Sequence, residues 1–438
     1  LTIVSSNRFR GIDYLKITIF GFAVAALWGS LHSIILPLRL LDFVAGPQKN
    51  TYLGLLTFAG LILAMLVQPI AGALSDRSGF GWGRRRPYIL MGTALALLLL
   101  PGLGLYDSFF AILIVYCLFQ ISCNVAQGPF QAFIPDLVPG GKRGVASGVK
   151  SLMEVAGGFA VVRLIAYFMG RYFGSGGGLW LWLSLATLGI ILLGTMLVTV
   201  LTVKERPGGG SQLPLLPTLS KSFKIDVKAS PGFVTFLLSR LLIFMAMATL
   251  QTFALYFLMD VAGVANPAEV TADLLIVVGI CMVAVVYPAG RLSDRIGRRP
   301  VVVSSGLLGA LGILLLLFSH SYGAIMFCGA LLGISCGAFL SSNWALATDL
   351  VPKGEEARYL GLTNLATAGG AALARLIGLA IDPLNIYSHG LGYQVMLGAC
   401  FIYFVAGSLL LMKIRGNSTE VGQHQMHSQG RQDKKTDV

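Results

Sequence analysis

Hydrophobic residues in this chain fall in long unbroken runs, not in alternation. The stretches 88–105, 179–203 and 301–318 carry no charge at all. Crossing the hydrocarbon of a bilayer takes about 20 such residues as a helix. Read this way, the pattern predicts twelve spanning helices: 14–41, 52–74, 88–106, 109–137, 143–171, 178–203, 232–259, 271–292, 300–319, 322–350, 357–382 and 391–413. Most connections between them are short. The exception is 204–230, a polar stretch rich in Gly and Pro that divides the helices six and six. The fold class is therefore an all-α membrane protein of two six-helix bundles. Its parts are an N-terminal bundle (1–203), a central loop (204–230), a C-terminal bundle (231–413) and a polar tail (414–438) whose composition predicts disorder. The first apolar run is too long for a cleavable signal peptide.

Composition sharpens this picture. Only 12% of the residues are charged, against about 25% in soluble domains. The net charge of +13 raises nucleic acid as a partner, but placement argues against it. Of the 32 Lys and Arg, 25 lie in the N-terminal tail, in every second loop, or in the C-terminal tail, while the opposite loops hold only Lys49 and Arg171. Basic residues resist translocation, so the rich side is expected to be cytoplasmic, with both termini there and the chain integral to the cell membrane. All six cysteines (117, 123, 281, 328, 336, 400) fall inside predicted spans, so neither a disulfide nor a metal site is expected.

The two halves echo each other. ISCNVAQGPFQAFIPDLVP starts at Ile121 and ISCGAFLSSNWALATDLVP at Ile334, 213 positions later. GALSDRSGFGWGRRRPYI starts at Gly72 and GRLSDRIGRRPVVV at Gly290. An even number of helices separates the copies, so both insert with the same orientation, as parallel repeats about an axis along the membrane normal do.

The Gly-x-x-Ser-Asp-Arg loops, Gly72 to Arg77 with Arg84, Arg85 and Arg86, and Gly290 to Arg295 with Arg298 and Arg299, resemble the signature loop of the major facilitator superfamily. The first copy is most similar to the glycoside and sucrose-carrier branch. The resemblance covers nearly the whole chain. It implies a pathway lined by helices 1, 4, 7 and 10, with helices 3, 6, 9 and 12 facing lipid. It also implies crossed gating contacts, Asp76 against the start of helix 11 near Arg358 and Asp294 against the start of helix 5 near Arg143. Arg84–Arg86 would then reach Asp136, and Arg298 or Arg299 would reach Asp349. Such contacts close the cytoplasmic side and break when it opens; the bland alternative is that these arginines only set topology.

Polar residues inside the spans are the candidate site. Gln120, Asn124, Gln127 and Gln131 share an arc of about 60° on helix 4. They must face protein or water. An unbroken stripe points to a wet cavity; the alternative is helix-to-helix hydrogen bonding. Helix 10 carries Gly333, Gly337, Leu340 and Trp344 at the matching places, with Ser341 and Asn343 beside the indole. Amides bind sugar hydroxyls and an indole stacks on a sugar's C–H face. Helix 1 offers Trp28, His32 and Arg39, and helix 7 offers Arg240, Met247 and Gln251. Within the spans also lie Lys150, Glu154, Arg163 and Arg375. Glu154 and His32 are the candidate proton carriers, although Glu154 is equally readable as a structural partner of Lys150. Sucrose-type carriers place an arginine in their fifth helix, which by resemblance makes Arg163 a substrate contact.

These observations predict a secondary transporter without cofactors, moving a sugar, glycoside or similar small polar solute by alternating access with protons; the resemblance implies a monomer. Phosphate-loop, nucleophile-elbow and zinc motifs are absent, so no enzymatic activity is expected. Arg39, Arg163, Arg240 and Arg375 outnumber Glu154, which keeps an organic anion open as substrate. Drug or metabolite efflux calls for a larger, more apolar cavity. A static assembly or pigment-handling role leaves the paired gating loops without a purpose.

Overall fold

In a computed structural model the described residues are 11–175, 177–205, 231–319, 321–350 and 356–412. Among them are twelve helices long and apolar enough to cross a membrane: α1 (Gly11–Leu40), α2 (Gly46–Arg77), α3 (Arg86–Leu105), α4 (Phe109–Leu137), α5 (Arg143–Gly174), α6 (Gly178–Thr202), α7 (Pro231–Asp260), α8 (Pro267–Ile296), α9 (Arg298–Leu317), α10 (Tyr322–Leu350), α11 (Gly361–Tyr387) and α12 (Leu391–Met412). Most of the central loop and the whole tail expected from 414 lie outside the described residues.

Local chemistry sets several boundaries. Pro87 stands in the first turn of α3, where its missing N–H costs nothing. The first free N–H groups there are taken by the Glu205 carboxylate, which accepts from the backbone of Arg85 (2.8 Å) and Arg86 (3.0 Å). Asn266 caps α8 by accepting from the Glu269 N–H, with Pro267 behind it. Gly297, at φ +97°, turns α8 directly into α9, a conformation that favours glycine.

Helices α1–α6 pack on one another, α2 and α3 against α4, and α1 against α5 and α6. Helices α7–α12 do likewise, with α8 and α9 against α10, and α7 against α11 and α12. The two groups meet along α2–α11, α5–α8 and α1–α7. That seam is one-sided. At the end away from the basic loops, Lys49, Asn50 and Thr51 at the start of α2 bond to Asp260 of α7, to Asp382 of α11 and to Tyr393 of α12. Arg163 of α5 pairs with Glu269 and Asp273 of α8, and the Tyr256 hydroxyl donates to the Pro37 carbonyl. At the basic end the described ion pairs stay within each group, Arg84 and Arg85 with Asp76 and Asp136, and Arg298 with Asp349.

Several spans depart from regular α-helix, among them α3 at Leu100–Pro101 and α4 at Ala132. α1 carries a π turn at Leu31–Ile35 and α5 one at Gly157–Val161. α11 breaks between Arg375 and Gly378. Close backbone contact accompanies those of α5 and α11. Gly157 lies on the Phe22 carbonyl, Gly54 on that of Arg375, and Gly378 on that of Asn50, with no room for a Cβ at any of the three. Non-helical backbone inside a membrane protein is found where it is buried in protein or lines a cavity, and π turns gather at functional sites.

Candidate functional site

The π turn of α5 lines a cavity. It has a volume of about 470 Å³ and lies between α1 and α5 on one side and α7, α8 and α10 on the other, reaching back to α12. Gly158 and Phe159 of the α5 π turn line it, and so do Ala25 and Gly29 just before the π turn of α1. Phe159 closes its wall, with its ring pressed on Gly279 of α8 where no other side chain fits.

The cavity corrects one expectation from the sequence. The amides of α4 do not line it. Gln120 is buried and donates to the Tyr116 hydroxyl at 2.7 Å, and Asn124 donates to the Gln120 carbonyl (2.8 Å) and Oε1 (3.2 Å). Gln127 accepts from the Trp28 indole at 3.4 Å, and Gln131 is exposed. Residues four apart on a helix satisfy each other and the facing helix, so the stripe is largely spent on bonds within the protein. Helix 1 completes this network. His32, inside the π turn, meets the Tyr116 hydroxyl at 2.7 Å and stacks on Trp28 with centroids 5.1 Å apart. Ala25, Gly29 and His32 follow one face of α1, so the apolar cavity and the polar network adjoin.

On the facing group, Gln251 is exposed into the cavity and has no hydrogen bond among the described residues. Asn343 is fully buried. Its Oδ1 accepts from Arg240, while its Nδ2 has no partner. Arg240 also donates to Thr367 at 2.8 Å and lies over the rings of Phe244 and Trp344. Arg375, at the break in α11, is 7% exposed. Its Nη1 donates to the Ala371 carbonyl and its Nε has no partner. It lies within electrostatic reach of His32 and Tyr116 across the seam.

The pairing of the other intramembrane cations sets these two arginines apart. Arg39 is held by Asp42 and Asp107, Lys49 by Asp260, Lys150 by Glu154 at 3.6 Å, and Arg163 by Glu269 and Asp273. Arg240 and Arg375 have no carboxylate within ion-pair distance among the described residues. Arg163, expected to touch substrate, instead joins α5 to α8 because two acids at the start of α8 reach it first. Glu154 packs against Gly21 of α1 and is 41% exposed.

The signature loops pair within their own groups. Arg84 and Arg85 reach Asp136 at 2.7 and 3.0 Å, and both also reach Asp76. Arg86 donates to the Val200 carbonyl. Arg298 meets Asp349 at 2.5 Å and Arg299 the Met412 carbonyl. Of the crossed contacts, that of Asp294 with Arg143 is not formed among the described residues, and that of Asp76 with the start of helix 11 lies outside them. Arg143 bonds the carbonyls of Pro135 and Val138, Asp294 has no ion pair among the described residues, and the side chain of Arg358 lies outside them. Gly72 has open space where a Cβ would stand, and Gly290 faces the Ser341 hydroxyl.

Sequence reading missed Tyr116, Asp382, Asn50 and Tyr393. Asp382 is 4% exposed and accepts from the backbone of Thr51 (2.6 Å) and Asn50 (3.3 Å) and from the Asn50 side chain (2.8 Å). An acid inside an apolar run, here just before Pro383, was the available signal.

Relatives agree with this architecture. A stretch of 116 residues, 26% of this chain and 26% of the relative, is 28% identical to the minor myo-inositol transporter IolF of Bacillus subtilis. Another of 100 residues, 18% of this chain and 19% of the relative, is 36% identical to the sucrose transport protein SUT1 of Oryza sativa subsp. japonica. These matches span about a quarter or less of those relatives. Among solved structures, the nucleoside transporter NupG superposes with a TM-score of 0.70 at 14% identity, over 92% of this chain and 98% of that one. The D-xylose-proton symporter does so with 0.67 at 17%, over 93% and 97%. A bacterial homologue of the human lysosomal transporter Spinster, inward-facing and unoccupied, gives 0.68 at 17%, over 94% and 100%. The family model described as MFS/sugar transport protein matches residues 22–406, most of the chain, which therefore belongs to that family of the major facilitator superfamily.

Proposed function

We propose that the protein is a secondary transporter that carries a sugar, glycoside or related polyol across the cell membrane by alternating access, driven by protons. The observation that carries this reading is the one-sided seam. Hydrogen bonds and ion pairs join the two groups at one end of the cavity, while the ion pairs described at the other end stay within each group. With the basic loops in the cytoplasm, this is the inward-open form of a rocking pair. The signature-loop arginines, Asp76, Asp136, Asp294 and Asp349 then regroup across the seam when the inner end closes. His32 and Trp28 on one side, with Gln251, Asn343, Trp344 and Arg375 on the other, supply the hydroxyl partners. Glu154, half-exposed and loosely paired, is the proton carrier.

Uptake into proteoliposomes tests this. Radiolabelled sugars, sucrose and myo-inositol are offered with and without an imposed proton gradient. We expect concentrative uptake of at least one that collapses with the gradient. Glu154→Gln should abolish accumulation but keep gradient-free exchange. Loss of exchange along with accumulation would make Glu154 structural, and no uptake of any polyol would reject the substrate class.

One observation favours a second reading, that the solute is an organic anion. Arg240 and Arg375 are buried guanidinium groups without carboxylate partners among the described residues, and such groups bind carboxylate or phosphate strongly.

A further inference from the structure

The cavity at the seam is the wrong chemistry for a bare sugar. Its walls are side chains such as Phe159, Met247, Val278, Met282, Leu332 and Phe404. Gln251 is the one amide among its lining residues, and Cys336 the one thiol. A sugar placed wholly inside would lose most of its hydrogen bonds to water and regain few. The volume, about 470 Å³, is large for an apolar group, since a void of roughly 150 Å³ already holds benzene. Yet the polar network of His32, Tyr116 and Gln120 adjoins the cavity along α1, and Gln251 projects into it.

We propose that the cavity is a subsite for the apolar part of the transported solute, so that the cargo is an amphipathic conjugate, a sugar or polyol bearing an aromatic or branched aliphatic group. The inference rests on the carrier reading above and names its substrate class. The polar end of the cargo lies toward His32 and Gln251, and the apolar end fills the space between α5, α8 and α10. Gly29, Gly158, Gly279 and Gly329 line the cavity, and at Gly158 a Cβ would meet open space. The cavity is shared by both groups of helices, α1 and α5 on one side and α7, α8 and α10 on the other. Its occupant therefore touches both moving parts, as a cargo must if it is to bias their motion.

The test uses the full chain in lipid nanodiscs. Binding is compared for methyl, phenyl and 2-naphthyl β-glucosides and galactosides, with 2-naphthol as the apolar group alone. We expect affinity to rise at least tenfold from methyl to naphthyl glycoside. Val278→Phe, which fills the cavity, should remove that rise. Alkylation of Cys336 in the unmodified protein, followed by mass spectrometry of its peptide, should be slowed by the naphthyl glycoside and not by the methyl one. This measurement stands even where Val278→Phe does not fold. Equal affinities for methyl and naphthyl glycosides, or a rise that survives filling of the cavity, overturn the proposal and leave the sugar carrier intact. Naphthol binding as tightly as its glycosides, with no binding of methyl glycosides, overturns the sugar reading and keeps the cavity as an apolar site. Absence of binding by every probe overturns both.

Discussion

Asp382→Ala is expected to open the far end of the protein and to abolish uptake. Asp382 holds the start of α2 through the backbone of Asn50 and Thr51 and through the Asn50 side chain. It stands at the positive end of that helix, where an anion is favoured. These bonds exist only while the two groups of helices meet, so their loss is borne by the closed form alone. A hydrogen bond to a charged group contributes about 1.5–3 kcal/mol. Losing this set should shift the equilibrium toward the outward-open form by at least about 3 kcal/mol, roughly a hundredfold. A cysteine placed at Gln251, in a background free of other cysteines, would report it through labelling by an impermeant maleimide from outside. Asp382→Asn, which keeps one acceptor, should fall between. Unchanged labelling with normal uptake would show that these bonds do not hold the gate.

Arg375→Gln is expected to cost about a hundredfold in affinity for the solute while leaving the protein as stable as before or more so. A cation at mid-membrane is disfavoured by about 2.5–3.5 kcal/mol on insertion scales. Arg375 is buried with a free Nε and no carboxylate among the described residues, so its charge does little for the resting fold. It stands across the seam from His32 and Tyr116, where a bound molecule would lie. Thermal melting and ligand binding on the same preparation separate the outcomes. Loss of anion binding alone, with neutral sugars still bound, moves the substrate to the organic anions. A fall in melting temperature with unchanged affinity makes Arg375 structural.

The order and number of the helices were legible because unbroken apolar runs have one solution in lipid. The ends were less so. α2 and α8 run several residues past their apolar runs, since Asp76, Arg77 and Arg295 sit at an end where charge costs little. The break in α11 was invisible. It falls between Arg375 and Gly378, ahead of Pro383, which the helix accommodates. Packing of Gly54 and Gly378 against backbone from the other group accompanies the break, and no local residue signals it. Spacing placed Gln120, Asn124 and Gln127 on one face, yet could not reveal that Tyr116 and Trp28 would occupy them. Asp76 and Asp294 could not disclose their partners either, because those depend on which end of the seam is joined.

Everything turns on one seam that opens at alternate ends. Spin-label pairs across the basic end, at Gly144 and Gly290, and across the far end, at Asp107 and Ser388, measure it directly by electron–electron resonance in nanodiscs. With substrate, or on a change of pH, the basic-end distance should shorten while the far-end distance lengthens, in one exchanging population. Both distances staying fixed, or changing in the same sense, would contradict a rocking carrier.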